Sequence, residues 1–179
     1  LLVPMDNEGK SQTTISNVVN NDIPYPGANI TSLRFEPEDY QDAVEKSNSQ
    51  ITISSFFNGN PDSEGGYSSV ATMKAVGDYV TYSFPVPVSG NFNFKLNYKL
   101  SKSSRGTARF SLVRSDGTEE RLGSDIDEST NQTEKMQTID LGSHSIEAGT
   151  LKLRMRLVGG GISGTGKLIG FNYLLLTRK

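Results

Sequence analysis

The sequence lacks cysteine and tryptophan and has a single histidine, and these shortages remove most enzymatic chemistry. Without cysteine the chain has no disulfide framework, no thiol nucleophile and no cysteine-ligated zinc site. The one histidine, His144, lies in the turn-rich segment LGSHSIEAG, where a solvated surface residue is more common than a catalytic base. No phosphate-binding loop or dinucleotide fingerprint is present. We therefore predict that the protein is not an enzyme, although paired carboxylates leave glycosidase chemistry as an alternative.

Charge and hydropathy narrow the range of partners. The formal net charge of −2 provides no overall basic field for nucleic acid. No apolar run is long enough to cross a membrane, and LLVPM is too short for the apolar region of a secretion signal. The 179 residues, 34% of them hydrophobic, suffice for one domain with a sizeable core. We predict no nucleic-acid partner and no membrane partner.

Alternation of apolar and polar residues is the dominant pattern after residue 30. The segments NFNFKLNYKL, YVTYSFPVPV and TLKLRMRLV all repeat with a period of two, which predicts half-buried strands. Pro85 and Pro87 cannot donate to a ladder, so that strand end is predicted at an edge. TARFSLVRSDGTEERLG predicts a hairpin around Asp116-Gly117. LIGFNYLLL is apolar on both sides, which predicts one central strand.

These strands predict an all-β fold, a two-sheet antiparallel β-sandwich of the jelly-roll type with about eight to ten strands. Residues 1–30 are rich in Asn, Ser and Thr and are broken by Pro24, Pro26 and Gly27, so they predict a linker or N-terminal arm. Residues 31–179 form the sandwich. The segment Gly159–Lys167 lacks phosphate-loop spacing, and we interpret it as a flexible loop between strands.

The stretch RFEPEDY places three carboxylates within four residues. Like charges this close repel unless a cation or water takes up the charge. Glu36 and Glu38 are two positions apart, at i and i+2, and would therefore lie on one side of a strand. Asn172 is a polar amide between apolar neighbours and needs a partner if it is buried.

Four segments, in order from about Leu33 to Leu176, resemble carbohydrate-binding modules of families 6, 35 and 36. FEPEDY resembles their opening IEAEDY, and VGDYVTYSFPVPVSGNFNFKLNYKLS is similar to their GDWVEY…VPxAGxYxLxxRxA segment. SIEAGTLKLRMRL is similar to LxAGxHTLRLxF, and GFNYLLL to LDYLxL. The resemblance implies a galactose-binding-like β-sandwich that binds glycans and is joined to a secreted bacterial polysaccharide-degrading enzyme.

The resemblance also implies a structural calcium ion. The two family glutamates and the C-terminal Asp or Asn that hold it correspond to Glu36, Glu38 and Asn172. Calcium takes six to eight oxygen ligands from carboxylates, amides and carbonyls, which suits these residue types. The alternative is a solvated acidic strand end with Asn172 hydrogen-bonded to backbone.

Three surfaces are candidates for the glycan. One is the family's end cleft, rebuilt here around Tyr67 and Tyr79 with help from Asp78 and Lys167, because no tryptophan is available for stacking. Tyr79 has a packing role as its alternative. The other two surfaces are a sheet face lined by polar residues of one strand, and a basic strip that would suit a uronate or pyruvylated polysaccharide. The polar residues are Asn93, Lys95, Asn97 and Lys99, and the strip comprises Lys152, Arg154, Arg156 and Arg109.

We predict a non-catalytic carbohydrate-binding module with a structural Ca²⁺ that targets an attached secreted enzyme to a polysaccharide. One alternative is a structural or adhesive sandwich domain of a large extracellular protein, which the missing aromatic platforms favour. Another is a stand-alone glycan lyase or hydrolase, which would need a cleft with paired carboxylates. A fold resemblance alone does not establish function.

Overall fold

The computed structural model describes residues 14–17, 30–57, 67–102 and 104–179. These residues form thirteen β-strands and one short 3-10 helix, Pro37–Ala43, which lies between the second and third strands. Among them no helix is long and apolar enough to span a membrane. The strands, in chain order from β1 to β13, are Thr14–Asn17, Ile30–Phe35, Glu45–Lys46, Thr52–Phe57, Tyr67–Thr72, Tyr79–Val86, Gly90–Leu100, Thr107–Val113, Glu119–Asp127, Lys135–Ile146, Gly149–Gly159, Leu168–Phe171 and Tyr173–Arg178.

Two five-stranded sheets form the sandwich, and all of their pairings are antiparallel. The first sheet has the order β1-β2-β13-β7-β10 and the second the order β3-β6-β11-β8-β9. Their inner faces share one core, in which Phe35 of β2 stacks on Phe84 of β6 with ring centroids 4.8 Å apart. A three-stranded sheet, β12-β5-β4, completes the molecule. The predicted all-β sandwich is confirmed.

The period-two segments supply the core as predicted. On β7 the side chains of Phe92, Phe94 and Leu96 are fully buried, whereas Asn91, Asn93 and Lys95 are turned away from the core. On β11 the apolar residues from Leu151 to Leu157 are buried in the same alternation. Burying each of these apolar side chains stabilises the fold by about 1.5–3 kcal/mol before conformational entropy is counted.

The turn and the strand edge predicted from local sequence are also present in the structure. β8 and β9 form the predicted hairpin, in which Asp116 Oδ1 accepts hydrogen bonds from the backbone N–H (2.9 Å) and the hydroxyl (2.7 Å) of Thr118. Gly117 adopts φ of 83°, a left-handed conformation that favours glycine. Pro85 lies opposite Thr150 of β11, and β3 reaches only Thr81 and Val80 on the other side of β6. Along β6, Pro85 is therefore at an edge, where its missing N–H costs nothing.

Two predictions about the ends of the chain need correction. The segment LIGFNYLLL forms two strands rather than one: β12 belongs to the three-stranded sheet, and β13 lies centrally between β2 and β7. The break falls at Asn172. Within the predicted arm of residues 1–30, Thr14–Asn17 pairs with β2 and so belongs to the first sheet. Residues 1–13 and 18–29 lie outside the described residues.

Candidate functional site

The predicted calcium ligands Glu36 and Glu38 follow directly after β2, at the start of the 3-10 helix. Both carboxylate oxygens of Glu38 are buried without a hydrogen-bond partner among the described residues. Burial raises the pKa of Glu38 to about 8, and the charges of Glu36 and Asp39 act in the same direction. Glu36 is 4% exposed and accepts a 2.6 Å hydrogen bond from Nε of Arg34. The backbone N–H of Glu38 and the charge of Arg34 act to lower this pKa, but burial outweighs them, so Glu38 is a buried carboxyl group that is costly to ionise.

The third predicted ligand, Asn172, is fully buried at the break between β12 and β13. Its side-chain oxygen accepts a hydrogen bond from Ser68, and its amide nitrogen donates to the side-chain oxygen of Asn97. Asn97 in turn donates to Thr138 over 2.8 Å, and the backbone N–H of Asn172 donates to the carbonyl of Asn97, also over 2.8 Å. Side chains therefore fix the amide, rather than backbone alone.

Strand register brings these groups to one region. Leu174 of β13 lies opposite Phe35 of β2, so Asn172 and Glu36 occupy the same end of that strand pair. Burial raises the pKa of Tyr82 to about 12, and the nearby charge of Glu38 acts in the same direction. The hydroxyl of Tyr82 lies 3.1 Å from that of Ser69. Among the described residues no three His, Asp or Glu side chains converge on one point. The predicted ligands are two carboxylates and an amide, which are hard oxygen ligands of the kind that Ca²⁺ takes.

Two connections meet at one end of the sandwich, which we name the loop end: residues 74–78 between β5 and β6, and Gly159–Lys167 between β11 and β12. The backbone N–H of Met73 donates to the carbonyl of Lys167 at 2.9 Å, which ties the two together. Val76 and Ile162 are exposed apolar residues in these connections. Both connections are surface loops held by rigid strands, the usual setting of a binding site.

Asp78 and Lys167 come together at the loop end as predicted, but Asp78 is already engaged. Burial acts to raise the pKa of Asp78, yet its hydrogen bonds and the nearby charge of Lys167 lower it overall. The backbone N–H groups of Lys74 and Ala75 donate to Oδ2 over 2.9 and 3.0 Å, and Ser47 donates to Oδ1 over 3.4 Å. The carboxylate therefore fixes the turn. Lys167 is the exposed cation of this pair.

Tyr67 does not join these residues, which corrects the predicted cleft. On β5, Thr72 pairs with Leu168 next to the loop end, and Ser69 pairs with Phe171. Tyr67 lies five residues before Thr72, which is about 17 Å along an extended strand. It is 43% exposed, and it lies opposite Phe57 of the neighbouring strand β4. The expected cleft between Tyr67 and Tyr79 is thus absent from the described residues.

Tyr79 and the predicted basic strip form one ion-paired cluster. The guanidinium groups of Arg154 and Arg156 lie 3.9 and 4.8 Å from the ring centroid of Tyr79. Oε1 of Glu119 accepts hydrogen bonds from both, at 2.6 and 2.7 Å, and Glu45 lies 3.2 Å from Arg154. These contacts favour the packing alternative for Tyr79, since two guanidinium groups lie against its ring. The strip carries carboxylates among its cations.

Arg109 does share this sheet, because it lies directly opposite Arg156 in the pairing of β11 with β8. Asp125 accepts hydrogen bonds from its Nε (2.8 Å) and Nη2 (2.9 Å), and Asp125 also lies 3.0 Å from Arg121. These hydrogen bonds raise the pKa of Arg109. The outer face of the second sheet is consequently a ladder of arginines and carboxylates.

The outer face of the first sheet carries the predicted polar residues. Asn93 donates to Asp140 over 3.0 Å, and Lys99 pairs with Glu134 over 3.1 Å. Asn97 is buried in the network around Asn172, so it is not available on this face. The guanidinium of Arg34 lies 3.8 Å from the ring centroid of Tyr173 on the same sheet.

His144 was predicted to be a solvated turn residue, and this is wrong. It lies within β10, its side chain is 13% exposed, and it meets the ring of Phe94 edge-on. Nδ1 contacts Oε1 of Glu120 at 2.6 Å, and Nε2 contacts the carbonyl of Leu141 at 3.0 Å. The histidine is therefore part of the packing between sheets.

Sequence reasoning missed a buried ion pair under the loop end. Arg105 and Glu128 are both buried, with Nη1 and Oε2 3.1 Å apart, and the Glu128 carboxylate accepts the backbone N–H of Gly170 at 3.0 Å. Burial raises the pKa of Glu128 to about 8, against the opposing effect of Arg105. Both residues lie in polar segments, SSRGT and DIDEST, whose composition is typical of exposed loops. No local pattern signals their burial.

The glycine-rich loop lies directly over this pair. A Cβ atom at Gly166 would lie 1.9 Å from the carbonyl oxygen of Arg105. The backbone N–H groups of Lys167 and Ile162 donate to Ser104 and Ser129, at 3.0 and 2.7 Å. The loop between strands is as predicted, but glycine serves close packing there rather than looseness.

Comparison with known proteins identifies the fold. No protein-family model and no curated protein sequence matches the chain. A xanthan lyase from Paenibacillus is similar over 89% of this chain, with a TM-score of 0.64 and 20% identity. A family 35 carbohydrate-binding module from an environmental isolate is similar over 78% of this chain and 91% of its own, with a TM-score of 0.50 and 15% identity.

A third similar structure is a β-(1,4)-mannanase from Podospora anserina, of glycoside hydrolase family 26, that carries a family 35 module. It aligns with 83% of this chain, with a TM-score of 0.51 and 12% identity. The chain spans 14% of the length of the xanthan lyase and 28% of that of the mannanase. The protein has the galactose-binding-like β-sandwich fold of carbohydrate-binding modules, as the sequence resemblance predicted.

Proposed function

We propose that this chain is a non-catalytic carbohydrate-binding module that holds an attached, secreted bacterial enzyme on its polysaccharide. The observation that carries the proposal is the fold, which aligns with nearly the whole of a family 35 module. The chain spans only 14% of the lyase and 28% of the mannanase. This supports the proposal that it is attached to a catalytic domain. Such a module increases the local concentration of the enzyme on a polymer by mass action.

Calcium is the second part of the proposal. Glu38 would supply one or both carboxylate oxygens, and Glu36 and Asn172 would supply the remaining side-chain ligands. The support is chemical: a buried carboxyl group without a donor is costly to ionise, and a divalent cation would balance its charge. The ion would fasten the end of β2 to the beginning of β13 and so stabilise the sandwich.

Two surfaces are proposed for the glycan, and each has its own support. Tyr67 is an exposed aromatic residue, and sugar rings stack on aromatic faces. The loop end offers the exposed cation Lys167 beside exposed Val76 and Ile162, on loops fixed by a buried ion pair. Lys167 and the partly exposed Arg156 would favour an anionic polysaccharide.

The test is affinity electrophoresis against a panel of neutral and acidic polysaccharides. Xanthan belongs in the panel because a xanthan lyase contains a domain of this fold. We expect retention by at least one polymer, without release of reducing ends or unsaturated products. Product formation by the pure chain that disappears on Asp78→Asn, the carboxylate of the loop end, would overturn the non-catalytic assignment.

A structural or adhesive sandwich is the alternative, and one observation favours it. Arg154 and Arg156 cover Tyr79, the residue that stands where the family has its GDW tryptophan. Absence of retention by every polysaccharide in the panel, at low and high salt, would support this alternative.

A further inference from the structure

A groove of about 540 Å³ lies at the end of the sandwich opposite the loop end. It is formed where β8 turns into β9 and where β10 turns into β11. β11 runs from Gly149 at the groove to Gly159 at the loop end, so about 33 Å of strand separates the two surfaces. The groove volume lies within the usual range of small-molecule sites, roughly 300–1,000 Å³. It shares only Lys152 with the predicted basic strip, and its other lining residues belong to none of the surfaces considered above.

The floor of the groove is apolar and its walls are charged. Leu112, Ile146 and Leu151 are buried beneath it. Arg114 forms one wall and Lys152 another, and Glu147 lies in the turn between β10 and β11. An apolar floor with a few charged groups around it suits the C–H faces and polar edges of a sugar ring.

Arg114 is held in a fixed orientation. Nε donates to Oε2 of Glu120 at 2.9 Å, and Nη1 donates to the carbonyl of Ser145 at 2.9 Å. Glu120 is itself anchored by Nδ1 of His144 at 2.6 Å. Hydrogen bonds to Arg114 are the leading cause that lowers the pKa of Glu120. The guanidinium is thus preorganised, which reduces the entropy lost on binding.

Lys152 differs from the arginines on its sheet. Arg154, Arg156 and Arg109 each contact a carboxylate, whereas Lys152 forms no ion pair with any described residue. Its side chain is exposed on β11, opposite Val113. Glu147 also lines the groove, so a ligand with closely spaced negative charges would be repelled there.

We propose that this groove binds a single acidic sugar unit of a polysaccharide. Lys152 and Arg114 would contact its carboxylate, and Glu147 would accept hydrogen bonds from its hydroxyl groups. An isolated acidic unit fits better than a polyuronate, because Glu147 would face the next carboxylate of such a polymer. This inference rests on the proposed function, since it assumes that the chain binds sugars. Together with either proposed glycan surface, it makes the chain bivalent for one polymer.

The test is an NMR titration of the whole chain with methyl β-D-glucuronide, and with methyl β-D-glucoside as the neutral probe. We expect the glucuronide to shift backbone amides in 112–115 and 145–152 and to bind about tenfold more tightly than the glucoside. Lys152→Gln should abolish this preference. Lys46→Gln, which removes an exposed lysine from the edge strand β3 of the same sheet, should keep it.

Thermal melting of each variant checks folding, because Lys152 is exposed and its replacement should leave the melting temperature unchanged. Equal binding of the two probes, or a preference that survives Lys152→Gln, overturns the groove site. Affinity electrophoresis of the same samples separates this failure from that of the proposed function. Retention by a polysaccharide without amide shifts at the groove refutes the groove alone, whereas loss of both refutes both.

Discussion

Oε1 of Glu120 on β9 lies 2.6 Å from Nδ1 of His144 on β10, and this contact joins the two five-stranded sheets. Hydrogen bonds from Arg114 and then His144 lower the pKa of Glu120 below its ordinary value of 4.5. A carboxyl group with a lowered folded-state pKa adds stability above its unfolded pKa, and that stability is lost as the pH falls. Glu120→Gln should therefore lower the melting temperature at pH 7.

The difference in melting temperature between Glu120→Gln and the parent chain should shrink as the pH falls below about 4. Thermal melting followed by circular dichroism between pH 3 and 8 measures it. Glu147→Gln is the control, because Glu147 is an exposed carboxylate for which the described residues record no ion pair. A difference in melting temperature that stays constant over this pH range would show that the ionised form of Glu120 contributes nothing to stability.

Calcium should stabilise the chain through Glu38. A ligand present at 100 times its Kd stabilises the native state by about 2.7 kcal/mol. Calcium should therefore raise the melting temperature of the parent chain by several degrees, and chelator should reverse the effect. Glu38→Gln should remove this response. In metal-free buffer the variant should melt no lower than the parent, because a neutral amide avoids the cost of a buried charge.

The control for this experiment is again Glu147→Gln, which should respond to calcium like the parent chain. Isothermal titration calorimetry gives an independent measure of binding. If a chain shown to contain calcium melts identically with and without chelator, the site does not stabilise the fold.

The two tyrosines should respond in opposite ways to alanine. Tyr67→Ala should weaken polysaccharide retention by about tenfold without changing stability, because a stacked aromatic contributes about 1 kcal/mol or somewhat more. Tyr79→Ala should instead lower the melting temperature, since its ring supports Arg154 and Arg156. Affinity electrophoresis and thermal melting of both variants distinguish these outcomes. Retention that survives Tyr67→Ala but falls with Lys167→Ala would locate the glycan at the loop end.

The buried pair Arg105–Glu128 should be sensitive to removal of one partner. Glu128→Leu alone should cost about 3–5 kcal/mol in the free energy of unfolding, because it leaves a buried cation. The double variant Arg105→Met/Glu128→Leu should recover most of that loss, apart from the hydrogen bond to the N–H of Gly170. Urea denaturation measures both. Equal destabilisation by the single and double variants would contradict a coupled pair.

Local patterns in the sequence predicted strands and turns well, and cross-strand partners poorly. β7 and the β8–β9 hairpin follow from alternation and from Asp116-Gly117, which act within a few residues. The shared acceptor of Arg154 and Arg156 is Glu119, 35 or more residues away in the sequence, and only strand register brings it there. Strand register also decides the place of His144. Its sequence neighbours are typical of a turn, but it lies in a strand opposite Phe92.

The candidate site was predictable only in part for a related reason. Glu36 and Asn172 are brought to one end of a strand pair, which the resemblance to carbohydrate-binding modules implied. Tyr67 and Tyr79 are twelve positions apart and looked like neighbours in a cleft. β5 lies between them and carries Tyr67 away from the loop end, a separation that depends on strand direction rather than on residue type.

The central position of β13 has a consequence for the order of synthesis. β13 pairs with β2 on one side and β7 on the other, so the first sheet is incomplete until residue 178 has been made. The emerging chain therefore exposes the unpaired edges of β2 and β7 to solvent and to other chains. Contacts between segments this distant in sequence form slowly. We expect the first sheet to form only after residue 178 has been synthesised, and its folding to benefit from factors that shield unpaired strands.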